Sequence, residues 1–518
     1  MSTPTRFFLT TAIDYPNSRP HIGTAFEKIG ADVQARYRRM EGCDVFFLMG
    51  TDENTNKVAK EAAKHNRDVQ EYCDDMARQF REVWDALDIS YDTFIQTSHD
   101  RHKQCCRKFI QKVYDNGHIY KSSFEGWYCD GCEMFKSDQD AKADGGICPN
   151  HKTPYTRRSE PCYLFKLSAF QDRLLKYFVE NPDFIQPETR RNEIVSLIEK
   201  EGLLDVNISR LRQPWGIQIP FDPEFVIYVW FDALLTYITG IGYGDDEAVF
   251  NKYWPADVHF IGKDITRFHC ALWPAMCFAA GIAPPKKVYG HGFVQVDNEK
   301  MSKTLGNVRD PLGIIAKFNV SADAFRYFFM RECPFPGDGN YSDERFAQVN
   351  DGDLANNIGN LYSRAVKLIS ANYPAGLEGT AGRVTTNLEK MKEAVQEARG
   401  YIEACRYNQA LQAIWQQVLD PANKHINDTA PWKLVKTDKE AAKEVLFNAV
   451  QSLRVASILL KPFMPRSTEV IYRSFNFATP WEKVSYADAA GSGTQSEDLR
   501  VLAELADGKV KPLFPRIG

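Results

Sequence analysis

Residues 15–24 form a segment whose residue types suit phosphate binding. His21 and Gly23 stand at the start of a helical pattern that directly follows strand-like sequence. The N-terminus of a helix presents backbone N–H groups and positive dipole density to a phosphate, and a glycine there leaves room for a ligand. A helix started by proline, with a buried histidine, explains the same segment equally well. The segment alone therefore does not decide its function.

A second segment, Lys300-Met301-Ser302-Lys303-Thr304, lies far along the chain and is followed by Gly306. Its two lysines flank a small hydroxyl residue on a loop. Lysine carries a compact, mobile charge that can follow a pyrophosphate as negative charge develops on it. A solvated charged loop is the alternative for these lysines. The two segments taken together favour a nucleotide site formed by two loops.

Four side chains of metal-binding type form a separate cluster in the sequence. Cys129 and Cys132 form a C-x2-C knuckle, and Cys148 and His151 form a C-x2-H knuckle. Three thiolates and one imidazole are a typical tetrahedral ligand set for structural zinc, which leaves no open position for catalysis. We therefore predict a structural Zn²⁺ site that folds a loop-rich knuckle.

The hydrophobic pattern predicts an α/β fold in two separated halves. Strands and helices alternate at the start of the chain, which implies a parallel sheet with right-handed crossovers. The predicted elements are a strand at Phe7–Ala12, a helix at Ile22–Met40, a strand at Val45–Met49 and a helix at Asn54–His65. The alternation resumes with predicted strands at Phe225–Phe231, Val258–Ile261 and Val288–Val296. An insertion is therefore expected to split the sheet.

Beyond residue 343 the pattern is almost wholly helical, with Leu354, Ile358 and Leu361 at helical spacing. The predicted fold class is a split Rossmann-type parallel sheet with a zinc-binding connective insertion, followed by an all-α helix bundle. The predicted domains are the first half of the sheet at 1–116, the insertion at 117–224, the second half with the lysine-rich loop at 225–325, a connecting region at 326–348 and the helical domain with a C-terminal tail at 349–518. Residues 490–494 have linker composition, so the last residues are expected to form a loosely attached arm.

Composition limits the classes of protein to which the chain can belong. Its 518 residues carry 64 Lys+Arg against 68 Asp+Glu, a formal charge of −4 that excludes a histone-like binder. The longest membrane-like uncharged stretch, Cys270–Pro285, is too short to span a bilayer. Strand-like sequence begins at Phe7 without room for a signal peptide, and twelve cysteines are too few for a secreted disulfide scaffold. We expect a cytoplasmic protein that makes no membrane contact.

The segments His21-Ile22-Gly23-Thr24 and Lys300-Met301-Ser302-Lys303-Thr304 together resemble the two signature motifs of the class I aminoacyl-tRNA synthetases. Thr24 replaces the usual second histidine, and Thr304 replaces the usual final serine. The resemblance implies that ATP, with Mg²⁺, binds between the two loops. The resemblance implies four catalytic residues, His21, Thr24, Lys300 and Lys303. It also implies six ATP-binding residues, Gly23, Gly262, Asp264, His291, Gly292 and Lys303.

Further segments resemble the methionine-specific members of that family, in particular residues 47–53, 227–234 and 259–269. Leu234 stands where bacterial members often have proline. An aromatic slot suits an unbranched thioether because sulfur makes favourable contacts with ring edges. The residues that the resemblance implies for L-methionine are Ile13, Tyr15, Asp52, Trp230, Ala233, Tyr237, Ile265 and His269, with Asp52 on the amino group.

Three residues of the predicted bundle suit RNA recognition. Asn360 and Arg364 lie one helical turn apart, where an amide and a guanidinium can read base edges, and Trp432 offers a stacking platform. Each residue alone would also fit a helix cap or a core position. The resemblance assigns all three to the anticodon of tRNA(Met), and this part of the chain is mildly basic whereas the remainder is acidic.

The resemblance implies a ligase that activates L-methionine with ATP and transfers it to the 3′ end of tRNA(Met) for protein synthesis. The insertion looks too short for an editing domain, so no separate editing site is expected. The sequence after about residue 480 lacks the C-terminal oligonucleotide-binding domain of some relatives, so a monomer is expected. Two alternatives stay open: another class I synthetase, such as the cysteine type, and a tRNA-binding protein that has lost activation, which Thr24 motivates.

Overall fold

The computed structural model describes residues 4–130, 134–136, 138–149, 151–211, 213, 215–302, 306–491, 497–502 and 512–517. The first part of the chain alternates between strands and helices, as predicted. Its elements are β1 (Arg6–Thr11), α1 (Ile22–Met40), β2 (Asp44–Thr51), α2 (Asn56–Lys64), α3 (Val69–Ala86), β3 (Thr93–Gln96) and α4 (Asp100–Asp115). Helix α1 has the bounds that the sequence predicted.

The described part of the insertion consists of two long strands, several short strands and three α-helices. Its elements are β4 (Ile119–Cys129), β5 (Met134–Lys136), α5 (Asp138–Ala143), β6 (Thr156–Phe165), α6 (Gln171–Glu180), β7 (Ile185–Gln186), α7 (Glu188–Glu201), β8 (Val206–Asn207), β9 (Ser209–Leu211), β10 (Gln218–Ile219) and β11 (Asp222–Ile227). Strands β5, β4, β6 and β8 form one antiparallel sheet in that order, and β10, β11 and β9 form another.

The chain then returns to the main sheet. The elements that follow are α8 (Val229–Ala233), α9 (Thr236–Thr239), α10 (Glu247–Tyr253), β12 (Val258–Gly262), α11 (Trp273–Ala280), β13 (Val288–His291), β14 (Val294–Val296), β15 (Glu299–Lys300), α12 (Pro311–Phe318), α13 (Ala322–Glu332), β16 (Gly339–Tyr341) and α14 (Asp343–Val349). The main sheet has six parallel strands in the order β3-β2-β1-β12-β13-β7. The order reverses direction between β1 and β12, which is where open α/β sheets bind ligands.

Two strand predictions differ from the structure. The predicted strand Phe225–Phe231 is β11 followed by helix α8, and β11 pairs with β9 and β10 rather than with the main sheet. The predicted strand Val288–Val296 is two strands, of which only β13 belongs to the main sheet. Conversely, β7 lies within residues 117–224 and supplies an edge of the main sheet. A run of apolar residues does not distinguish a strand of a parallel core sheet from a strand of a small antiparallel sheet.

The C-terminal part is helical. A π-helical segment, Asn350–Gly359, leads into α15 (Asn360–Asn372), α16 (Leu388–Glu403), α17 (Tyr407–Ile414), α18 (Asp420–Thr429), α19 (Pro431–Thr437), α20 (Lys439–Leu460) and α21 (Pro465–Arg473). The described part of the tail is not a loose arm: Leu499 bridges Leu377, and the N–H of Ile517 donates to Asp351 at 2.8 Å. The tail therefore packs against the bundle.

Two apolar cores cover the two faces of the main sheet, because neighbouring residues of a strand point to opposite faces. Leu9 and Phe260 lie in the core that also contains α1 and the helix bundle. Phe8 and Ile261 lie in the core shared with α4, α11 and the insertion. The sheet is thereby held between the bundle on one side and the insertion on the other. No helix within the described ranges is long and apolar enough to cross a membrane.

A buried arginine joins the sheet to the bundle. Arg326, in α13, is fully buried and donates to Asp32 of α1 at 2.6 Å. The same guanidinium donates to the backbone carbonyls of Pro462 and Phe463, each at 2.9 Å, in the turn between α20 and α21. Burial opposes ionisation of Asp32, but Arg36 and Arg326 outweigh it and lower the pKa of Asp32 to about 2. One guanidinium therefore connects three parts of the fold.

Candidate active site

A cavity of about 510 Å³ opens at the carboxyl ends of β1, β12 and β13, next to the point where the strand order reverses. Both signature segments contribute to its wall. The predicted site residues that line it are Ile13, Tyr15, His21, Gly23, Thr24, Trp230, Gly262, Asp264, Ile265, His291, Gly292 and Lys300. Residues from five separate parts of the sequence thus meet around one cavity.

His21 caps helix α1 and occupies the N–H groups that the sequence offered to a phosphate. Its Nδ1 accepts hydrogen bonds from the N–H groups of Gly23 and Thr24, at 3.1 and 3.3 Å. The N–H groups of Ile22 and Ala25 donate to backbone carbonyls. The expectation of unpaired N–H groups at this helix start is therefore wrong, because all four have partners. A phosphate would reach the N–H groups of Gly23 and Thr24 only after the His21 ring turned away.

Thr24 completes the same cap. Its hydroxyl donates to the carbonyl of His21 at 2.7 Å and accepts from the N–H of His21 at 3.0 Å. A capping box normally has a carboxylate or amide at this position, and here a hydroxyl satisfies the same groups. Through these two hydrogen bonds, Thr24 fixes the conformation of the signature loop at His21.

A buried charge network lies below the cavity and was not predicted. Lys28 is fully buried, and its Nζ lies 2.7 Å from Glu27 Oε1 and 2.9 Å from Asp14 Oδ2. Glu27 Oε2 lies 2.9 Å from His291 Nε2, and His291 Nδ1 contacts the carbonyl of Gly292 at 2.7 Å. Burial opposes ionisation of Glu27, but Lys28 and His291 outweigh it and hold its pKa below the ordinary value. The network fixes the orientation of His291.

Two glycines leave space that side chains would fill. A Cβ on Gly292 would lie 1.8 Å from the carbonyl oxygen of Gly337, so no other residue fits there. A Cβ on Gly262 would lie 2.8 Å from Asp264 Oδ1. Asp264 is exposed to the cavity, and the bare backbone of Gly262 gives its carboxylate room.

The lysine-rich loop reaches the cavity from β15. Lys300 is exposed, and its Nζ lies 5.7 Å from the centre of the Phe293 ring. The side chain of Met301 packs close to Gly23, which brings the two signature segments together. Lys303 and Thr304 lie outside the described residues.

Four of the residues predicted for methionine lie behind the cavity wall rather than in it. Tyr237 and His269 are buried, and the phenol oxygen lies 2.7 Å from His269 Nε2. Ala233 and Asp52 are also buried. Trp230 does line the cavity, and its ring stacks on Phe268 with centres 3.9 Å apart. The eight predicted residues therefore form one region, of which only Ile13, Tyr15, Trp230 and Ile265 face the open space.

Asp52 has a buried carboxylate neighbour, Asp232, that sequence reasoning missed. In the part of the chain that the structure describes, Oδ1 of Asp52 and both carboxylate oxygens of Asp232 are buried and make no hydrogen bond of good geometry, and the nearby Asn54 side chain lowers the pKa of Asp232 less than burial raises it. Burial, then repulsion from Glu53, raises the pKa of Asp52 well above its ordinary value, and burial followed by the charge of Asp52 does the same to the pKa of Asp232. Two buried acceptors with unmet hydrogen-bonding capacity suit a cationic group.

A smaller cavity of about 130 Å³ adjoins the first, and Tyr15 and Trp230 line both. Arg210, Trp215 and Tyr128 reach it from the insertion. The indole N–H of Trp215 donates to the carbonyl of Glu53 at 2.7 Å, which ties the insertion to the end of β2. Sequence reasoning missed these residues because nothing in their local pattern separates them from other residues of a turn-rich insertion.

Three of the four predicted metal ligands cluster. The ligand atoms of Cys129, Cys148 and His151 all lie within 4.8 Å of one another, and His151 Nδ1 lies 3.6 Å from the Cys148 sulfur. Tetrahedral zinc would place a sulfur and a nitrogen ligand about 3.5 Å apart, so these residues fit the ion. Cys132 lies outside the described residues.

The bundle brings the three predicted RNA-reading residues to one surface. Arg364 of α15 lies over the ring of Trp432 of α19, 4.6 Å from its centre, and donates to Asn427 at 2.8 Å. Asn360 is exposed one turn before Arg364, and Trp432 is 38% exposed. Trp432 is therefore not a core residue, and its indole is accessible for stacking.

The architecture is that of a class I aminoacyl-tRNA synthetase. It has a parallel sheet split by an insertion, two signature loops at the carboxyl edge of that sheet and a C-terminal helix bundle. The family model described as tRNA synthetases class I (M) matches residues 7–162 and 147–366, and the anticodon binding domain of methionyl tRNA ligase matches residues 374–496. The chain belongs to the methionine-type class I tRNA synthetases.

Named relatives agree with this assignment. The methionine–tRNA ligase of Caldanaerobacter subterraneus is 41% identical over 520 residues, which cover 99% of this chain and 79% of that protein. The methionine–tRNA ligase of Bacillus subtilis is 37% identical over 527 residues, which cover 99% of this chain and 78% of that protein. The structure of Mycobacterium tuberculosis methionyl-tRNA synthetase in complex with methionyl-adenylate superposes with a TM-score of 0.90 at 36% identity, covering 99% of this chain and 100% of that chain.

Proposed function

We propose that this chain activates L-methionine with ATP and transfers it to the 3′ end of tRNA(Met). The observation that supports the proposal is that both signature loops line one cavity, next to the point where the strand order of the main sheet reverses. The membership in the methionine-type family supports the choice of amino acid. That the protein acts as a cytoplasmic monomer stays a prediction.

In the first step the methionine carboxylate attacks the α-phosphorus of ATP. A bond forms between a carboxylate oxygen and the α-phosphorus, and the bond to the β-phosphate oxygen breaks, which releases pyrophosphate. Mg²⁺ bound to ATP would neutralise part of the phosphate charge. Lys300 and Lys303 stabilise the negative charge that develops on the leaving pyrophosphate, and His21 contacts the phosphates at the start of α1.

In the second step a ribose hydroxyl of the terminal adenosine attacks the activated carbonyl, and AMP leaves. No protein nucleophile is needed, so the protein contributes positioning and charge stabilisation. Asp52 binds the methionine ammonium group, which supplies a donor to Oδ1, an atom that has no hydrogen-bond partner among the described residues. Asp264 and the bare backbone of Gly262 and Gly292 hold the nucleotide.

We also propose that the Cys129, Cys132, Cys148 and His151 set holds one structural Zn²⁺. The measurement is metal content by mass spectrometry of the purified protein before and after Cys148→Ser. The variant should lose zinc while Cys43→Ser, outside the cluster, keeps it. Equal zinc content in both variants would contradict the assignment.

Amino-acid-dependent ATP–pyrophosphate exchange tests the main proposal. We expect exchange with methionine and none with cysteine, and Lys300→Ala should slow exchange roughly 100-fold, because it removes charge stabilisation developed in the transition state. Lys317→Ala, an exposed lysine paired with Asp343, is the matched control. Exchange with cysteine alone would favour the cysteine-type synthetase, and no exchange with any amino acid would favour a tRNA-binding protein without activation.

A further inference from the structure

A buried histidine lies behind the candidate active site and has no part in the mechanism described above. His259 is the second residue of β12 and is fully buried. Its ring stacks on the ring of Tyr237, with the ring centres 4.2 Å apart and the planes inclined by 26°. Tyr237 is one of the residues predicted for methionine, and its hydroxyl lies 2.7 Å from His269 Nε2. His259 therefore supports one face of a side chain of the proposed methionine site.

Both nitrogens of the His259 ring are held by hydrogen bonds. The indole N–H of Trp273 can only donate, and it donates to His259 Nε2 at 3.2 Å. Because Nε2 is an acceptor, the ring hydrogen is on Nδ1, which donates to the Thr10 hydroxyl oxygen at 2.7 Å. Burial lowers the pKa of His259 well below its ordinary value, which keeps the ring neutral. The ring is thus fixed in one tautomer and one orientation.

The Tyr237 hydroxyl is fixed in the same way. The carbonyl of Ile265 can only accept, and it lies 3.1 Å from His269 Nδ1, so this nitrogen carries the ring hydrogen. His269 Nε2 then accepts from the Tyr237 hydroxyl. Ile265 lines the candidate active-site cavity, so His269 contacts a residue of the cavity wall. Tyr237 is therefore held at its hydroxyl by His269 and at its ring face by His259.

Aromatic side chains surround the stack of His259 and Tyr237. The ring centres of Trp254 and His259 lie 6.3 Å apart, and those of Trp254 and Trp273 lie 5.8 Å apart. An apolar ring would fill this part of the core without any need for hydrogen bonds. A buried polar ring with both of its partners in place instead specifies a single arrangement of its neighbours. The choice of histidine here thus indicates a need for a precise position rather than for bulk alone.

We propose that His259 is a positioning residue that holds the Tyr237 ring against the side chain of the amino-acid substrate. Thr10 and Trp273 act through it, because they fix its orientation. This inference rests on the proposed function. A His259 ring that loses its acceptor must turn to find another, and Tyr237 then loses its support. The affinity for methionine should fall, whereas ATP, whose phosphates are proposed to bind at the signature loops, should bind as before.

Thr10→Val and Thr11→Val form a matched pair of variants that tests the proposal. The two threonines are consecutive in β1 and fully buried, and their side chains point to opposite faces of the sheet. Thr10 accepts from His259, whereas the Thr11 hydroxyl has no hydrogen-bond partner among the described residues. In ATP–pyrophosphate exchange, Thr10→Val should raise the KM for methionine at least about 5-fold and the KM for ATP less than about twofold. Thr11→Val should change either KM by less than about twofold.

Two further variants separate the hydrogen bond from the stability of the fold. Thr10→Ser keeps the hydroxyl and should return the KM for methionine to within about twofold of the original. His259→Gln keeps a donor and an acceptor but lacks the ring, and should raise the KM for methionine roughly 2- to 10-fold through loss of the stack. A purely structural role would lower kcat with the amount of folded protein and leave the KM for methionine unchanged, and that result would overturn the proposal.

Other outcomes also decide against the role of His259. The proposal is overturned if Thr10→Val and Thr11→Val raise the KM for methionine equally, or if Thr10→Val raises the KM for ATP as much as that for methionine. If Thr10→Val does not fold, an unchanged KM for methionine in His259→Gln overturns it. Unmodified protein that shows no methionine-dependent exchange would contradict the proposed function itself, and the role of His259 with it.

Discussion

Asp52 and Asp232 are two buried carboxyl groups that suit the binding of a cation, and the burial of their charge lowers the stability of the folded protein. Burial raises the pKa of both carboxyl groups well above the ordinary range, and repulsion from Glu53 adds to the rise at Asp52 as repulsion from Asp52 does at Asp232. Because the charge of Asp52 acts on Asp232, a change at Asp52 also moves the titration of Asp232. A cation placed between them would relieve the repulsion, which is what the substrate ammonium group is proposed to do.

Asp232→Asn should change how stability depends on pH. A carboxyl whose pKa is raised by folding binds its proton more tightly in the folded state, so the free energy of unfolding falls as pH rises above about 4. Removing the buried charge should stabilise the protein by ~1–3 kcal/mol at pH 8 and much less at pH 4. Urea denaturation at both pH values measures the difference. Asp115→Asn, which removes an exposed carboxyl at the end of α4, is the matched control. An equal shift at both pH values for Asp232→Asn would refute the argument.

Trp432→Ala should separate tRNA recognition from amino-acid activation. The indole is accessible and fixed by Arg364, and loss of one stacked base costs about 1–3 kcal/mol. The KM for tRNA in aminoacylation should rise by roughly 10- to 100-fold, whereas ATP–pyrophosphate exchange should change less than about twofold. Trp432→Phe, which keeps a stacking face, should recover most of the loss. A parallel fall in exchange would mean that Trp432 mainly supports packing.

Helix α1 illustrates what an element's sequence does and does not reveal. Its bounds followed from the apolar periodicity and the proline before it, and the structure reproduces them. The same periodicity could not reveal that Glu27, Lys28 and Asp32 are buried, because patterning assigns charged residues to the solvent side. Nor could it reveal the His21 cap, since the competition between a side chain and a ligand for the same N–H groups is decided in three dimensions.

Thr24→Val should destabilise this element through its cap. Valine has nearly the shape of threonine but cannot satisfy the N–H and the carbonyl of His21. Loss of a helix cap costs ~0.5–2 kcal/mol, which urea denaturation should detect. Thr24→Ser keeps the hydroxyl and should lie close to the original stability. If the valine variant is as stable as the serine variant, the hydroxyl does not serve as a cap.

At the scale of the whole molecule, the split sheet and the helical bundle were predictable, but their joining was not. The sequence indicated two α/β halves because both carry the same alternation. The sequence did not reveal β7, because a two-residue strand has no periodicity. It also did not reveal the antiparallel partners of β11. The contacts of Arg326 were also hidden, because the arginine lies 136 residues from Pro462.

Arg326→Met should loosen the junction between sheet and bundle. The substitution leaves Asp32 buried with fewer partners, and removing one member of a buried ion pair costs about 3–5 kcal/mol. Chemical denaturation should show this loss. The double variant Asp32→Asn with Arg326→Met removes both charges and should recover part of it. A loss below about 1 kcal/mol in the single variant would show that the ion pair does not hold the junction.

The pairing of β1 with β12 has a consequence for synthesis on the ribosome. Thr10 and His259, which contact each other across these strands, are separated by 249 residues. At ~5–20 residues per second, the exposed edge of β1 waits roughly 12–50 s for its partner strand to leave the ribosome. Nascent chains of intermediate length therefore carry an open strand edge, and we expect them to depend on chaperones more than the finished protein does.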